Sequence, residues 1–325
     1  MDEKLTYCLT GATGFLGEHL VDKLLQNDDV QLRLLTRKNH TLYQAQSRVT
    51  VVQGDLLDKN SLEEFIVPGA VLINLAYLQS GSEANLIATR NLASICRQQS
   101  ISRFLHLSSA VVAGRQNQNW ITEESCPNPV NEYEKNKLAI EKILEQDLSE
   151  QIPLVVLRPT AIFGKGGKNG LKIISDFQKE SHFIRRLKLT LLGNQQMHFV
   201  AVENVIAAIL FLLYRPALSG YFIISDDDCI NNNYHYIIQA FSQVMNLPLI
   251  SPYPFQFIKK SLPLLLRLRH RTQIDPLQRY SCNKLKQAGF NKSIEFESAL
   301  QNFFGNARAC HQLYSTHMSL KRKIT

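Results

Sequence analysis

The 325-residue sequence lacks most features that mark secreted, membrane and metal-binding chains. Its six cysteines (Cys8, Cys96, Cys126, Cys229, Cys282 and Cys310) are scattered, with no Cys-x-x-Cys pair and no histidine at metal-ligand spacing. That excludes a zinc ribbon or a disulfide framework and leaves reduced, structural thiols, with no metal expected. No apolar run approaches the ~20 residues that cross a bilayer, so no integral membrane segment is expected. The opening residues Met1-Asp2-Glu3-Lys4-Leu5 have neither the basic stretch nor the apolar core of a secretory signal. A cytoplasmic protein is the expectation. There is no internal repeat and no low-complexity tract. With 45% hydrophobic and 20% charged residues the chain is expected to be globular, and it is long enough for two domains.

Acidic residues are scarce in the second half. Residues 1–160 hold 15 Lys/Arg against 19 Asp/Glu, whereas residues 161–325 hold 21 against 9. A basic second half suits an anionic ligand such as a nucleotide diphosphate. The basic stretches carry no nucleic-acid-binding motif and little interleaved aromatic character, so no nucleic acid is expected.

What the chain does have is alternation. Apolar strand patterns (Leu5–Thr10, Val49–Gln53, Val71–Ala76, Phe104–Leu107, Pro153–Leu157) are interleaved with helical spacings, among them Glu83–Gln98 and Asn131–Gln146. A short helix is expected over Asn60–Ile66, capped by Asn60 or Ser61. Continuous apolar strands alternating with helices predict an α/β fold, a doubly wound parallel sheet of Rossmann type. Such sheets bind ligands beyond the carboxyl ends of their strands. A smaller, mainly helical substrate lobe is expected to follow. The dinucleotide-binding domain is placed at 1–165 and the lobe at 166–325, with elements around 197–225 returning to the first domain.

The chemistry-bearing segments fall at those strand ends. Thr10-Gly11-Ala12-Thr13-Gly14-Phe15-Leu16-Gly17 is a G-x-x-G-x-x-G turn between strand and helix. Its glycines allow a tight turn and bring backbone N–H groups and a helix N-terminus to a pyrophosphate. The second strand ends in Leu35-Thr36-Arg37-Lys38. An acid there would hold the ribose of NAD; two cations suit a 2′-phosphate, which favours NADP and leaves NAD open. Asp55, with Leu56, ends the third strand near where adenine would lie, and Ala76 ends the fourth. Tyr133 and Lys137 are one helical turn apart on one face, and Ser109 ends an earlier strand. A nearby ammonium is expected to lower the Tyr133 pKa towards phenolate, making an acid–base pair, with Ser109 binding the substrate oxygen. The competing reading pairs Lys137 with Glu134 or Glu141 as surface salt bridges.

These motifs in this order resemble the extended short-chain dehydrogenase/reductases, the NAD-dependent epimerase/dehydratase family with its nucleotide-sugar epimerases. The resemblance extends through Asn74-Leu75-Ala76, Asn85, Thr89-Arg90-Asn91, Leu157-Arg158-Pro159, His198–Val205 and Asn283–Phe290. It implies catalytic roles for Ser109, Tyr133 and Lys137. The cofactor set it implies is Gly11, Thr13, Gly14, Phe15, Leu16, Gly17, Arg37, Asp55, Leu56, Ala76 and Pro159. It also implies a homodimer and a nucleotide-sugar substrate whose diphosphate meets Arg271, with Arg267 and Arg269 as neighbours that could take the same role.

Two departures narrow the reaction. Ser109 is followed by Ala110-Val111 rather than an acidic pair, so a 4,6-dehydratase is not expected. Ala161 stands where the family often has a diphosphate-binding Asn. The expected function is hydride transfer on a nucleotide-sugar, as an epimerase or oxidoreductase. The alternatives are an NADPH-dependent reductase of a keto sugar or other small carbonyl compound, and a non-catalytic nucleotide sensor. The 257–271 segment, with its mixture of lysine, arginine and leucine, is also a candidate for contact with a membrane surface.

Overall fold

A computed structural model describes residues 5–38, 43, 46–148, 151–167, 171, 175–177, 179–253 and 277–306. In chain order its first elements are β1 (Leu5–Thr10), α1 (Phe15–Leu24), β2 (Val30–Thr36), β3 (Val49–Gln53), α2 (Lys59–Phe65), β4 (Val71–Asn74) and α3 (Ser82–Gln98). There follow β5 (Arg103–Leu107), β6 (Trp120–Ile121), α4 (Glu132–Leu148), β7 (Leu154–Pro159) and β8 (Ala161–Phe163). The remainder comprises α5 (His182–Leu192), β9 (Phe199–Ala201), α6 (Val202–Leu213), β10 (Gly220–Ile224), α7 (Tyr234–Val244), β11 (Arg279–Tyr280) and α8 (Asn283–Gln287).

Seven strands form one sheet in the order β10-β7-β5-β4-β1-β2-β3, every neighbouring pair parallel. Both faces are covered, as the near-continuous apolar strands require. In β1, Tyr7 and Leu9 point into the core shared with α1 and α6, while Cys8 joins α2, α3 and α4 on the other side. The chain leaves β1 for β2 and β3 and then returns to place β4 on the opposite flank of β1. That reversal opens a crevice beyond the carboxyl ends of β1 and β4, the natural ligand position in such sheets.

β10, late in the chain, completes the sheet at its edge against β7, and α6 packs with α1 in the same core. A separate cluster rich in phenylalanine (Phe163, Phe177, Phe199, Phe241, Phe296, Phe303, Phe304) gathers the C-terminal elements. The short pairs β6–β11 and β8–β9 are parallel ribbons outside the main sheet, too short to read from periodicity.

The start of α2 differs from expectation. Asp58, not Asn60 or Ser61, is the cap: its carboxylate accepts from the Asn60 N–H at 3.1 Å. Ser61 instead serves the site, its hydroxyl accepting from the Asp55 N–H at 3.0 Å and so fixing the loop after β3. Among the described residues no helix is long and apolar enough to cross a membrane.

Candidate active site

The crevice holds a cavity of about 400 Å³ lined by the glycine turn, the ends of β2 and β3 and the loop after β4. Gly11 has φ +74°, and a Cβ built on it would lie 2.9 Å from the Ala76 nitrogen. Glycine is therefore demanded by backbone conformation and by the approach of the β4 strand end. At Gly17 a Cβ would lie 2.1 Å from the Gly11 carbonyl oxygen, so the first turn of α1 can sit on the loop only without a side chain. The Gly14 N–H donates to the Gly11 carbonyl at 3.0 Å and closes the turn.

Of the residues expected to hold a cofactor, Gly11, Thr13, Gly14, Arg37, Asp55, Leu56 and Ala76 line this cavity together. Phe15, Leu16, Gly17 and Pro159 do not. Phe15 packs edge-on against His19 at 5.4 Å. Leu16 is in the core. Pro159 is the last residue of β7, opposite Ile224 of β10. Arg271, with Arg267 and Arg269 and the 257–271 segment, lies outside the described residues.

Three observations fit a dinucleotide to these residues. The glycine cradle leaves backbone N–H groups where a pyrophosphate needs them. Thr36 lines the cavity, and its buried hydroxyl has no hydrogen-bond partner among the described residues. Arg37 stands exposed beside it and makes no ion pair among the described residues. Gly11, the Thr13–Gly14 turn, Thr36, Arg37 and Asp55 are thus the groups that would hold the cofactor.

The expected acid–base residues meet beyond the carboxyl end of β5, an interior strand of the sheet. Asn131 and Glu134 start α4 as a reciprocal cap: the Asn131 side chain accepts from the Glu134 N–H at 3.0 Å, and the Glu134 carboxylate accepts from the Val130 N–H at 2.7 Å. This fixes Tyr133 between the two capping residues. Ser109 caps the short 3₁₀ turn Ala110–Ala113, and its hydroxyl faces Tyr133 and favours the phenolate. Lys137, only 4% exposed, donates to the Leu107 carbonyl at 3.0 Å, two residues before Ser109.

The electrostatics depart from the sequence expectation. Tyr133 is 44% exposed. Its phenol is nonetheless held above its ordinary pKa of 10.0, first by desolvation and then by Tyr77, with the Ser109 hydroxyl pulling the other way. The pull of the Lys137 ammonium is not among these causes. Lys137 itself is pushed down to about 8 by burial, with Glu141 opposing.

The salt-bridge alternative for Lys137 does not hold. Glu134 is spent on the cap. Glu141 takes Arg158 of β7 in a buried fork, Nε–Oε1 2.9 Å and Nη2–Oε2 2.6 Å.

Several contributors were not read from the sequence. Tyr77 follows β4, lines the cavity and packs on Tyr133 with ring centroids 5.3 Å apart. Its only sequence signal is its place next to Ala76. His106 of β5 is buried and hydrogen-bonded through Nδ1 to Asn74 at 3.3 Å. Burial and the Lys137 charge hold it neutral, well below the ordinary histidine range. The late motif has an architectural role here. Asn204 donates to the Ile294 carbonyl at 3.0 Å and to Asp226 at 3.3 Å, and His198 meets Asp227 at 2.5 Å. Together they tie the C-terminal segment to the end of β10.

A model of the NAD-dependent epimerase/dehydratase family matches residues 7–221, most of the chain, including the glycine turn, Ser109, Tyr133 and Lys137. The chain belongs to that family. Among curated proteins it is similar to human 3 beta-hydroxysteroid dehydrogenase type 7, 28% identical over 208 residues, 55% of this chain and 54% of that protein. It is also similar to the UDP-glucose epimerase YtcB of Bacillus subtilis, itself uncharacterised, 26% identical over 239 residues, 65% of this chain and 73% of that protein. The chain spans about half the length of the first curated relatives it matches. Among solved structures, the Thermus thermophilus UDP-glucose 4-epimerase in complex with NAD superposes with TM-score 0.67 at 20% identity, over 94% of this chain and 99% of that one. At that identity the likeness speaks for the fold, and the family's seven-stranded Rossmann-type sheet is the one found here.

Proposed function

We propose that this member of the epimerase/dehydratase family moves a hydride to and from a ring carbon of a nucleotide-sugar through a Ser109–Tyr133–Lys137 site. The observation that carries the reading is the convergence of Ser109, Tyr133 and the buried Lys137 ammonium beyond the end of β5, joined through Tyr77 to a cavity shaped for a dinucleotide. The basic second half of the chain supports an anionic substrate, with Arg271 as its diphosphate partner and a division into lobes near 165.

The bound nicotinamide supplies the hydride acceptor and donor. Ser109 binds the reacting oxygen and orients it. Tyr133 takes the hydroxyl proton as the carbon loses its hydride, and returns a proton when the resulting ketone is reduced. Reduction on the opposite face gives the epimer; release of the ketone gives net oxidation. Protonated at rest, Tyr133 is ready to donate to a carbonyl oxygen, and the nearby Ser109 hydroxyl favours the phenolate needed for the reverse step. Ala110, where a dehydratase would carry an acid, is buried in an apolar cluster, which supports a reaction other than 4,6-dehydration.

A second reading, an NADPH-dependent reductase of a keto sugar or other carbonyl compound, is favoured by Arg37 in place of an acid at the end of β2. The similarity to a hydroxysteroid dehydrogenase also supports net redox. The test is a panel of UDP-sugars followed by NMR, with wild type and Tyr133→Phe, each with NAD and NADP. Loss of the phenol is expected to slow turnover by roughly 10²–10⁴-fold. A Tyr133→Phe variant with wild-type rate refutes the assignment of the site.

A further inference from the structure

Tyr77 lies in the loop Leu75–Gln79, and that loop is fixed on both sides. The Leu75 N–H donates to the Thr10 carbonyl at 3.3 Å. Beyond Tyr77, the Leu78 N–H donates to the Asn85 side chain at 2.8 Å, and Asn85 donates back to the carbonyls of Leu78 at 2.8 Å and Gly81 at 2.9 Å. The backbone around Tyr77 is therefore held between β1 and α3.

The side chain meets three residues of α4 that share one face of the helix, at positions i, i+3 and i+4. Its ring packs edge-on against Tyr133, 5.3 Å between centroids with planes at 73°. Its hydroxyl donates to Asn136 Oδ1 at 3.0 Å, and Asn136 in turn donates to the Ser82 carbonyl at 2.9 Å. The Lys137 Nζ stands 4.8 Å from the centre of the same ring. One aromatic residue from another element thus touches both members of the acid–base pair and the residue between them.

We propose that Tyr77 is a positioning residue of the site: its ring seats the Lys137 ammonium and braces the Tyr133 phenol, and its hydroxyl anchors that ring on Asn136. The inference rests on Tyr133 and Lys137 being the acid–base pair. A buried ammonium with few polar partners gains from a π face, because the ring's negative quadrupole replaces part of the lost hydration. Of the other ionisable groups facing Lys137, His106 on β5 is neutral and Tyr133 carries its proton, while Glu141, one turn along α4 and shared with Arg158, offsets only part of the burial.

The test is the titration of Lys137, read by NMR of protein labelled with ¹³Cε-lysine, its signal identified by its loss in Lys137→Met. Tyr77→Phe keeps the π face and is expected to keep the wild-type midpoint. Tyr77→Leu removes it, and the midpoint is expected to fall by roughly one pH unit, about a tenfold weaker hold on the proton. Should Tyr77→Leu fail to fold, Tyr77→Met fills the same space without a ring. A midpoint that stays or rises in the folded Leu or Met variant, or that falls as far in Tyr77→Phe, overturns the proposal. The NMR midpoint needs no substrate, so this result stands apart from an active Tyr133→Phe enzyme, which would overturn the acid–base reading instead.

Discussion

Lys137 is costly to the fold, and replacing it should make the protein more stable while disabling it. Its ammonium is 4% exposed, and burial lowers its pKa from the ordinary 10.5 to about 8. A difference of that size corresponds to roughly 3 kcal/mol against the charged folded form. The penalty is full below pH 8, where Lys137 is charged in both the folded and unfolded chain. Between pH 8 and 10.5 the folded state gives up its proton first, so wild-type stability rises across that window, and above it the penalty is gone. Lys137→Met keeps the volume and removes the charge. Against the gain stands the Leu107 carbonyl, which loses the donor now 3.0 Å away, a cost of about 1 kcal/mol. The net expectation at pH 7 is a variant about 2 kcal/mol more stable, with a thermal midpoint higher by roughly 3 °C. Urea and thermal denaturation of both proteins at pH 7 and pH 10 measure this, alongside turnover. The gain should shrink strongly by pH 10. A variant less stable than wild type at pH 7, or a gain as large at pH 10 as at pH 7, refutes the reasoning.

Other outcomes follow from the same geometry. Gly17→Ala forces a Cβ to 2.1 Å from the Gly11 carbonyl oxygen; nucleotide affinity by calorimetry should fall at least ~10²-fold, because the turn can no longer present its N–H groups. Glu141→Gln leaves the Arg158 guanidinium buried without its counter-charge; urea unfolding should show a loss of roughly 3–5 kcal/mol. Arg37→Ser should weaken NADPH binding by about tenfold or more while leaving NADH nearly unchanged, as fluorescence titration would show; equal losses for both would remove Arg37 from any role at a 2′-phosphate.

Much of the fold was legible because it is written in local patterns. Val71–Asn74 is apolar at every position, and only a strand covered on both faces accommodates that. Gly11, Gly14 and Gly17 announced a turn that the structure places at the end of β1. The spacing of Tyr133 and Lys137 was sufficient to put them on one face of α4. Less was legible where short elements or side-chain partners were concerned. β6 and β11 have two residues each and come from distant parts of the chain, so no periodicity could reveal them. The helix cap at Asp58 was missed because Asn60 and Ser61 offer the same chemistry two or three positions later. Only the loop's contact with Asp55 shows that Ser61 is already engaged.

The sequence by itself determined the order of the chemistry: a nucleotide turn, a serine at a strand end, then tyrosine and lysine one helical turn apart. Such spacings depend on backbone periodicity, which neighbours in the chain set. The tertiary structure alone decided what those groups experience. It gave Glu141 to Arg158 and Glu134 to the helix cap, so Lys137 forms an ion pair with neither. It brought Tyr77, which precedes α3 in the chain, against both Tyr133 and Lys137. It buried Lys137 so deeply that its proton is held weakly, and it raised rather than lowered the Tyr133 phenol. Desolvation and charge depend on distances in space, and these residues become neighbours only once the sheet has closed.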